Sequence, residues 1–422
     1  MEVIYITLAI MGVLLALSLP IGIAIGLATL CGLFIGDLKL ALFTQRFFNT
    51  FDSFPLMAVP FFILAGDIMA SGSLSTNLLA WCRSMVGHKR GGMAHISTIT
   101  CLFYGALCGS AVATVAAVGG IMIPAMEEDR YPKSFSCGLN AAAGCLGVMI
   151  PPSIPLILYG SFGSVSISDL FIAGIVPGLL IAACLIAVSH WMVVRGNYGT
   201  LIPKMSAADR MAALKKALPA LGVPVIILGG IYSGIISPTE AGVVAVVYAL
   251  FVESFISKVL TLKKLCEIVK RSMISLGMMF LIIITANGLG TLFLYYNVHV
   301  ELQKFIMGMT TNPHVFIFIM LIIYLILGTF MEAGVAIILL APILVPICIS
   351  YGIDPVHFGI FTLVSLCIGF LTPPVGTNLF VTCSIGDIDI LRLSRAVIPF
   401  IAAMMVGVLL IAYVPAISLC LL

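Results

Sequence analysis

The sequence predicts an all-α polytopic membrane protein, and three observations carry that prediction. Of its 422 residues, 62% are hydrophobic and 9% are charged, whereas an ordinary soluble domain is about 45–50% apolar and about 25% charged. Mean hydropathy is +1.24, so a water-soluble globule would leave apolar surface that so few charges could not cover. The apolar residues also fall in ten or so stretches, many near the ~20 residues that a spanning helix needs. Runs such as Leu180–Val194 and Phe316–Leu327 are apolar on every side, which is a helix signal in lipid and not the alternation of a membrane barrel. A cytosolic enzyme, a nucleic-acid binder and a disordered chain are excluded.

Apolar segments lie at about 3–36, 54–71, 92–126, 134–163, 170–194, 217–236, 240–257, 272–296, 315–330, 333–350, 356–386 and 396–420. The first reads as membrane helix and not as a secretory leader, because Glu2 stands where a positive n-region would be and the run passes residue 30. Asp67 and Glu240 sit near helix ends, where capping accounts for an acid. Segment 92–126 is interrupted near Gly105 and Gly109-Ser110, and 315–348 near Gly328-Thr329. Segments 134–163 and 356–386 each carry a double proline midway, Pro151-Pro152 and Pro373-Pro374. The twelve cysteines lie mostly within apolar runs and read as small buried hydrophobes. His190, on an apolar helix, reads as a packed or interfacial residue.

The polar stretch 196–216 divides the chain into related halves, 1–195 and 217–422. At one offset of 222 residues, Pro124, Pro151, Pro152 and Pro177 meet Pro346, Pro373, Pro374 and Pro399. Chance would give roughly 0.5 such matches, so a repeat is the better account. Basic residues accumulate on cytoplasmic loops. Loop 82–91 holds Arg83, Lys89 and Arg90 against Lys304 alone in 304–313, and 127–133 holds Arg130 and Lys133 against none in 349–355. The bias reverses elsewhere: 36–49 has Lys39 and Arg46, but 258–271 has five basic residues, and only 387–395, not 165–173, carries arginines. Two oppositely oriented copies would alternate in this way, as in many secondary transporters. Loops 82–91, 127–133, 195–216, 258–271 and 387–395 are thereby placed in the cytoplasm. Segment 92–126 would then leave and return on one side. Its arms of about 15 residues, ~22 Å, are short for a ~30 Å core and suit a re-entrant hairpin. The second hairpin, 315–348, would enter from the opposite face.

Two prolines remove two backbone donors and break a helix. Freed backbone groups in lipid are tolerated only where protein or a cavity surrounds them. Ser153, Thr377 and Asn378 add oxygens at the breaks, and the hairpin turns add Ser110 and Thr329. Half-helix ends of this kind suit a small cation and a carboxylate. A proline kink or close packing of small residues is the plainer account of any one of these features taken alone. Glu332 would be an intramembrane acid within the second hairpin, able to help hold Na⁺ or accept a proton. Residues 91–129, 134–194 and 305–391 contain no Lys or Arg, so an anion there would depend on helix N-termini and a bound cation. No Walker, Rossmann, G-x-S-x-G or H-E-x-x-H pattern is present, and neither Asp67 nor Ser110 has the partners an intramembrane enzyme needs.

The stretches PFFILAGDIMASG (60–72), GSAVATVAAVGGIMIPAM (109–126), GVMIPPSIPLILYG (147–160), FIAGIVPG (171–178), SPTEAGVVAVVYAL (237–250), APILVPI (341–347) and IGFLTPPVGTNLFV (368–381) together resemble the large membrane subunit of TRAP transporters, the DctM-like family. The resemblance covers nearly the whole chain and departs from the family pattern at Leu107-Cys108 and Ala111-Val112. It implies an elevator-type inverted-repeat fold with two re-entrant hairpins and two broken helices in a bacterial inner membrane. It also implies Na⁺-coupled import of an organic acid, such as a C4-dicarboxylate, sialic acid or a sugar acid, with no other cofactor. The partners implied are a small four-helix DctQ-like subunit and a periplasmic DctP-like binding protein; membrane lipid would surround the rest, and no nucleic acid is involved. By position, Gly109, Ser110, Pro151, Ser153, Gly328, Thr329, Glu332, Thr372, Pro373 and Gly376 would face Na⁺. Ser110, Thr114, Pro152, Ser153, Pro374, Thr377 and Asn378 would face the acid. The alternative is a stand-alone Na⁺/dicarboxylate or citrate symporter that needs no partner.

Overall fold

A computed structural model describes residues 2–17, 19–86, 90–200 and 205–422, and among these every regular element is helical. Lys89, the side chain of Arg46, and residues 201–204 of the polar stretch lie outside the described residues. Among the described residues, nine helices are long and apolar enough to cross a membrane, or ten if a pair bent by 44° is one span.

The 3–36 segment is two helices, α1 (Glu2–Ala16) and α2 (Ile21–Ile35), packed on each other with Pro20 at the start of the second. Three elements were not expected: α3 (Leu40–Phe51), α5 (Leu74–Val86) and α14 (Val298–Met309). Each alternates polar and apolar residues at helical spacing, so none appears as a continuous apolar run. Between the first two lies α4 (Ala58–Ser71), separated from α3 by a 3-10 turn at Phe54–Met57. After α5 come α6 (Gly92–Cys108), α7 (Ala111–Glu128, with a π-helical turn at Val115–Gly119), α8 (Lys133–Met149), α9 (Ile154–Gly163) and α10 (Ile167–Gly196).

The second half holds α11 (Ala207–Tyr232), α12 (Pro238–Ile256) and α13 (Leu262–Tyr295), and after α14 come α15 (Pro313–Phe330), α16 (Ala333–Ser350), α17 (Pro355–Gly369), α18 (Thr377–Gly386), α19 (Ile390–Tyr413) and the short α20 (Ala416–Leu419). Helix α11 begins inside the stretch expected to be a polar connection, because Ser206 caps it through Asp209 N–H at 3.1 Å. Helix α13 begins ten residues before its apolar run. At 34 residues it is ~51 Å long, more than a ~30 Å hydrocarbon core requires, and its first third carries Lys263, Lys264, Lys270 and Arg271.

Helices α16 and α17 begin 222 residues after α7 and α8, and α16 ends 222 residues after α7. Both double-proline bonds are cis. Helix α9 packs on α16, and α18 packs on the π-helical turn and α7, so the second half of each broken helix lies against the helix-turn-helix unit of the other half of the chain. The paired cysteines of this offset meet, with Cys145 Sγ 3.3 Å from Cys367 O.

One long-range staple secures the outer helices. Glu253, in the π-helical end of α12 and fully buried, accepts hydrogen bonds from Ser73 N–H at 3.1 Å and Leu74 N–H at 3.0 Å. It thus satisfies donors that the start of α5 would otherwise leave bare. Gly72 is needed beside it, since any Cβ there would collide with the carboxylate.

Candidate functional site

Two helix turns and two helix breaks meet in pairs. In the first half, α6 ends at Gly109, whose φ of +60° is the left-handed conformation that favours glycine. Ser110 then starts α7, its Oγ accepting from Ala113 N–H at 3.4 Å. The interruption lies at Gly109-Ser110 and not also at Gly105, which sits inside α6 and serves packing. A methyl on Gly105 would stand 2.7 Å from Gly147 Cα and 2.9 Å from Leu146 O. The tip of this unit reaches the first break, because a methyl on Gly109 would stand 2.9 Å from Pro152 O.

The second unit differs from expectation in its turn. Gly328 and Thr329 lie in the last turn of α15, and the chain reverses at Met331-Glu332. Gly328 keeps helical geometry and packs as Gly105 does, a methyl there falling 2.5 Å from Leu366 O and 3.0 Å from Gly369 Cα. Thr329 O accepts from Val375 N–H at 3.2 Å and Gly376 N–H at 3.4 Å, so this tip is tied to the second break. Glu332 opens α16 with an exposed side chain that forms no cap bond.

The breaks are not equivalent. Residues 150–153 are all buried, whereas Pro373, Pro374 and Val375 are exposed on the described chain. Ser153 is fully buried and donates to Val148 O at 2.5 Å, satisfying a carbonyl freed by Pro152. Thr372 Oγ1 donates to Ile368 O at 3.3 Å, and Thr114 Oγ1 donates to Ser110 O at 2.7 Å. Asn378 joins the two halves: fully buried, its Nδ2 donates to Ala141 O at 3.0 Å in α8. Its Oδ1 and the Thr377 Oγ1 have no hydrogen-bond partner. A buried acceptor without a donor costs about 1–3 kcal/mol, and a cation or a ligand hydroxyl would relieve it. Four helices (α7, α9, α16 and α18) begin at these turns and breaks, so their N-termini supply positive potential where no basic side chain stands.

The sequence pointed to some of the polar side chains here and missed others. Asn140 in α8, fully buried, accepts from Ser97 Oγ at 2.8 Å and donates to Ser136 O at 2.8 Å; the one available signal was an amide inside an unbroken apolar run. Asp67 is not a cap. It lies within α4, 3.2 Å from Arg271 and accepting from Ser272 Oγ at 2.6 Å, partners some 200 residues away. Glu240 does cap, in a reciprocal pair with Ser237. All twelve cysteines are free and seven are buried. His190 is exposed and stacks on His95 with ring centroids 5.4 Å apart. Among the described residues no three His, Cys, Asp or Glu side chains converge as metal ligands, so a cation here would be held by carbonyl, hydroxyl and amide oxygens.

Residues 8–417 match the family described as the tripartite ATP-independent periplasmic transporter, DctM component. The chain is 42% identical over 406 residues to the isethionate TRAP transporter permease protein DctMQ of Oleidesulfovibrio alaskensis, a match spanning 96% of this chain and 64% of that protein. It is 38% identical over 376 residues to the C4-dicarboxylate TRAP transporter large permease protein DctM of Pseudomonas aeruginosa, with 89% and 88% of the two chains covered. It is 34% identical over 407 residues to the sialic acid TRAP transporter large permease protein SiaM of Vibrio cholerae, with 96% and 95% covered. The solved structure of the Alcanivorax borkumensis YdaH transporter shares the fold, with a TM-score of 0.63 at 14% identity over 87% of each chain.

Proposed function

The chain belongs to the DctM family of TRAP transporter large permease subunits, and from that membership we propose that it imports an organic acid by Na⁺-coupled secondary transport. It is a multi-pass membrane permease and not an enzyme. The family implies a DctQ-like small subunit and a DctP-like periplasmic binding protein as partners, and one relative's name joins the two permease subunits. Relatives are named for isethionate, C4-dicarboxylates and sialic acid. The acid here is of that class, and the chain works in a bacterial inner membrane.

The observation that carries the reading is the paired meeting of turn and break around Asn378. Buried acceptors without partners, Asn378 Oδ1 and Thr377 Oγ1, stand at the junction of both halves, and oxygen acceptors of this kind suit a hard cation. With no Lys or Arg in 91–129, 134–194 or 305–391, the acid's charge falls to the helix N-termini and to Na⁺, which makes the two binding events interdependent. The matching helix starts and the crossed packing of α9 on α16 and α18 on α7 support two inverted copies. In that arrangement, α6 to α9 and α15 to α18 would move as a unit against the remaining helices and the small subunit. Ser110, Ser153, Thr329, Thr372 and Gly376 would contribute to the ion, and Thr114, Thr377 and Asn378 to the acid.

The test is uptake of isethionate, succinate and sialic acid by proteoliposomes holding this chain with both partners, with the Na⁺ gradient and the membrane potential set separately. Uptake of one of these that collapses without Na⁺ is expected. Uptake indifferent to Na⁺ refutes the coupling, and uptake without either partner refutes the tripartite assignment.

A further inference from the structure

Two adjoining cavities lie outside the site just described. One, of about 480 Å³, is lined by Ser166, Ser168, Ser237 and Thr239. The other, of about 340 Å³, is lined by Asn49, Thr50, Ser53 and Asn287. Ser161 and Ser164 border both, so the two share a wall. Among the described residues, neither lining contains an Asp, Glu, Lys or Arg. Together they are of the size that small organic ligands occupy, about 300–1,000 Å³.

Their position is set by the helices they touch. Helix α9 is 10 residues long, ~15 Å, and runs from the first break at Ser153 to Ser161 and Ser164 beside both cavities. Helices α10 and α12 start at the cavities and end at Arg195 and just before Lys258. At 30 and 19 residues they are long and apolar enough to cross a membrane, which puts the cavities at the helix ends away from the basic loops. One wall comes from the α9–α10 turn and from Ile338 and Pro342 of α16; the other comes from the α3–α4 turn, α12 and α13. The cavities therefore lie between helices proposed above to move and helices proposed to stay.

The chemistry of the lining is neutral and hydrogen-bonding. Asn287 Nδ2 donates to Thr50 Oγ1 at 2.7 Å, and Thr239 Oγ1 donates to Phe54 O at 2.8 Å, while the Ser161 Oγ is buried with no partner. The neighbouring helix starts are already satisfied: Ser166 caps α10, and the Glu240 carboxylate accepts from Ser237 N–H at 2.7 Å. This is therefore not a trap for a bare carboxylate, which would lose its water and gain no counter-charge. Hydroxyls and amides can instead hydrogen-bond a hydroxyl-bearing solute and its hydration water, weakly enough to release it, as a conducting path requires.

We propose that the two cavities form one vestibule through which a small hydroxylated organic anion, still partly hydrated, travels between the outer face and the broken-helix site. This rests on the transport reading above, and it adds Ser161, Ser164 and Asn287 as residues that meet the solute before the Asn378 junction does.

The experiment uses the complete complex in sealed vesicles. Ser161→Cys is made in a Cys420→Ser background, leaving exposed Cys266 on basic helix α13 as the marker of the opposite face. A membrane-impermeant maleimide is added from each side in turn. Labelling of Ser161→Cys from the face that does not label Cys266 is expected. Whichever acid the wild-type complex takes up should slow that labelling in proportion to its concentration, about twofold where it half-occupies the vestibule, which lies above the KM because the vestibule holds it weakly. Labelling from the Cys266 face overturns the proposal, as does no labelling of the folded variant when its denatured form labels fully. Labelling from the expected face that the transported acid leaves unchanged removes the role in passage. Sidedness needs no transport assay, so a vestibule that fails and a Na⁺ coupling that fails give different results.

Discussion

Adding one methyl group at Gly105 probes the geometry of the proposed site directly. The Gly105→Ala methyl would sit 2.7 Å from Gly147 Cα, whereas two carbons rest at about 3.5–4.0 Å, so α6 and the first half of the broken helix must part by about 1 Å. Overpacking of that kind costs about 1–3 kcal/mol, and a 1 Å displacement of a positioned group costs about a hundredfold in rate. Gly328→Ala should behave in the same way, because its methyl meets Leu366 O at 2.5 Å and Gly369 Cα at 3.0 Å. The comparison is Gly277→Ala in α13, where a methyl meets nothing within 4 Å and helix propensity alone should add about 1 kcal/mol of stability. Measured by uptake in proteoliposomes and by thermal unfolding in detergent, the first two variants should lose most transport and a few degrees of Tm. The reasoning is refuted if Gly105→Ala and Gly328→Ala transport and unfold as Gly277→Ala does.

Asn378→Leu removes both a buried carbonyl without a donor and the Nδ2 bond to Ala141 O, effects of opposite sign and each about 1 kcal/mol, so thermal stability should change little while uptake falls about a hundredfold; undiminished uptake would remove Asn378 from the site. Glu253→Ala strands the buried Leu74 N–H at about 1–3 kcal/mol and the half-buried Ser73 N–H at less, whereas Glu253→Gln keeps an acceptor and should recover part of the loss in the same denaturation curve. Burial pushes the Tyr131 phenol up to about 12. The unfolded chain releases that proton near pH 10 and the folded chain holds it, so stability should fall as pH rises from 10 to 12, and Tyr131→Phe should flatten that slope.

Much of this arrangement could be read from local chemistry. Two adjacent prolines cannot continue a helix wherever they sit, so Pro151-Pro152 and Pro373-Pro374 located both breaks. Gly109-Ser110 was legible because a left-handed glycine followed by a capping serine is a local signal. Gly328-Thr329 misled for the converse reason: glycine there serves a close crossing with Gly369 while the helix continues to Phe330, and a crossing partner does not appear in local sequence. Helices α3, α5 and α14 escaped notice because only one face of each is apolar. The partner of Asp67, Ser272, lies 205 residues away, so an acid near the end of an apolar run reads locally as an ordinary cap.

The 3-10 turn between α3 and α4 has no counterpart in α13, which covers the corresponding stretch of the second half as a single 34-residue rod. A continuous ladder of backbone hydrogen bonds resists bending, and a short loosely bonded elbow does not. Compliance along this pair of arms is therefore lopsided, with the elbow at 52–57 as the joint and α13 as the strut that it flexes against.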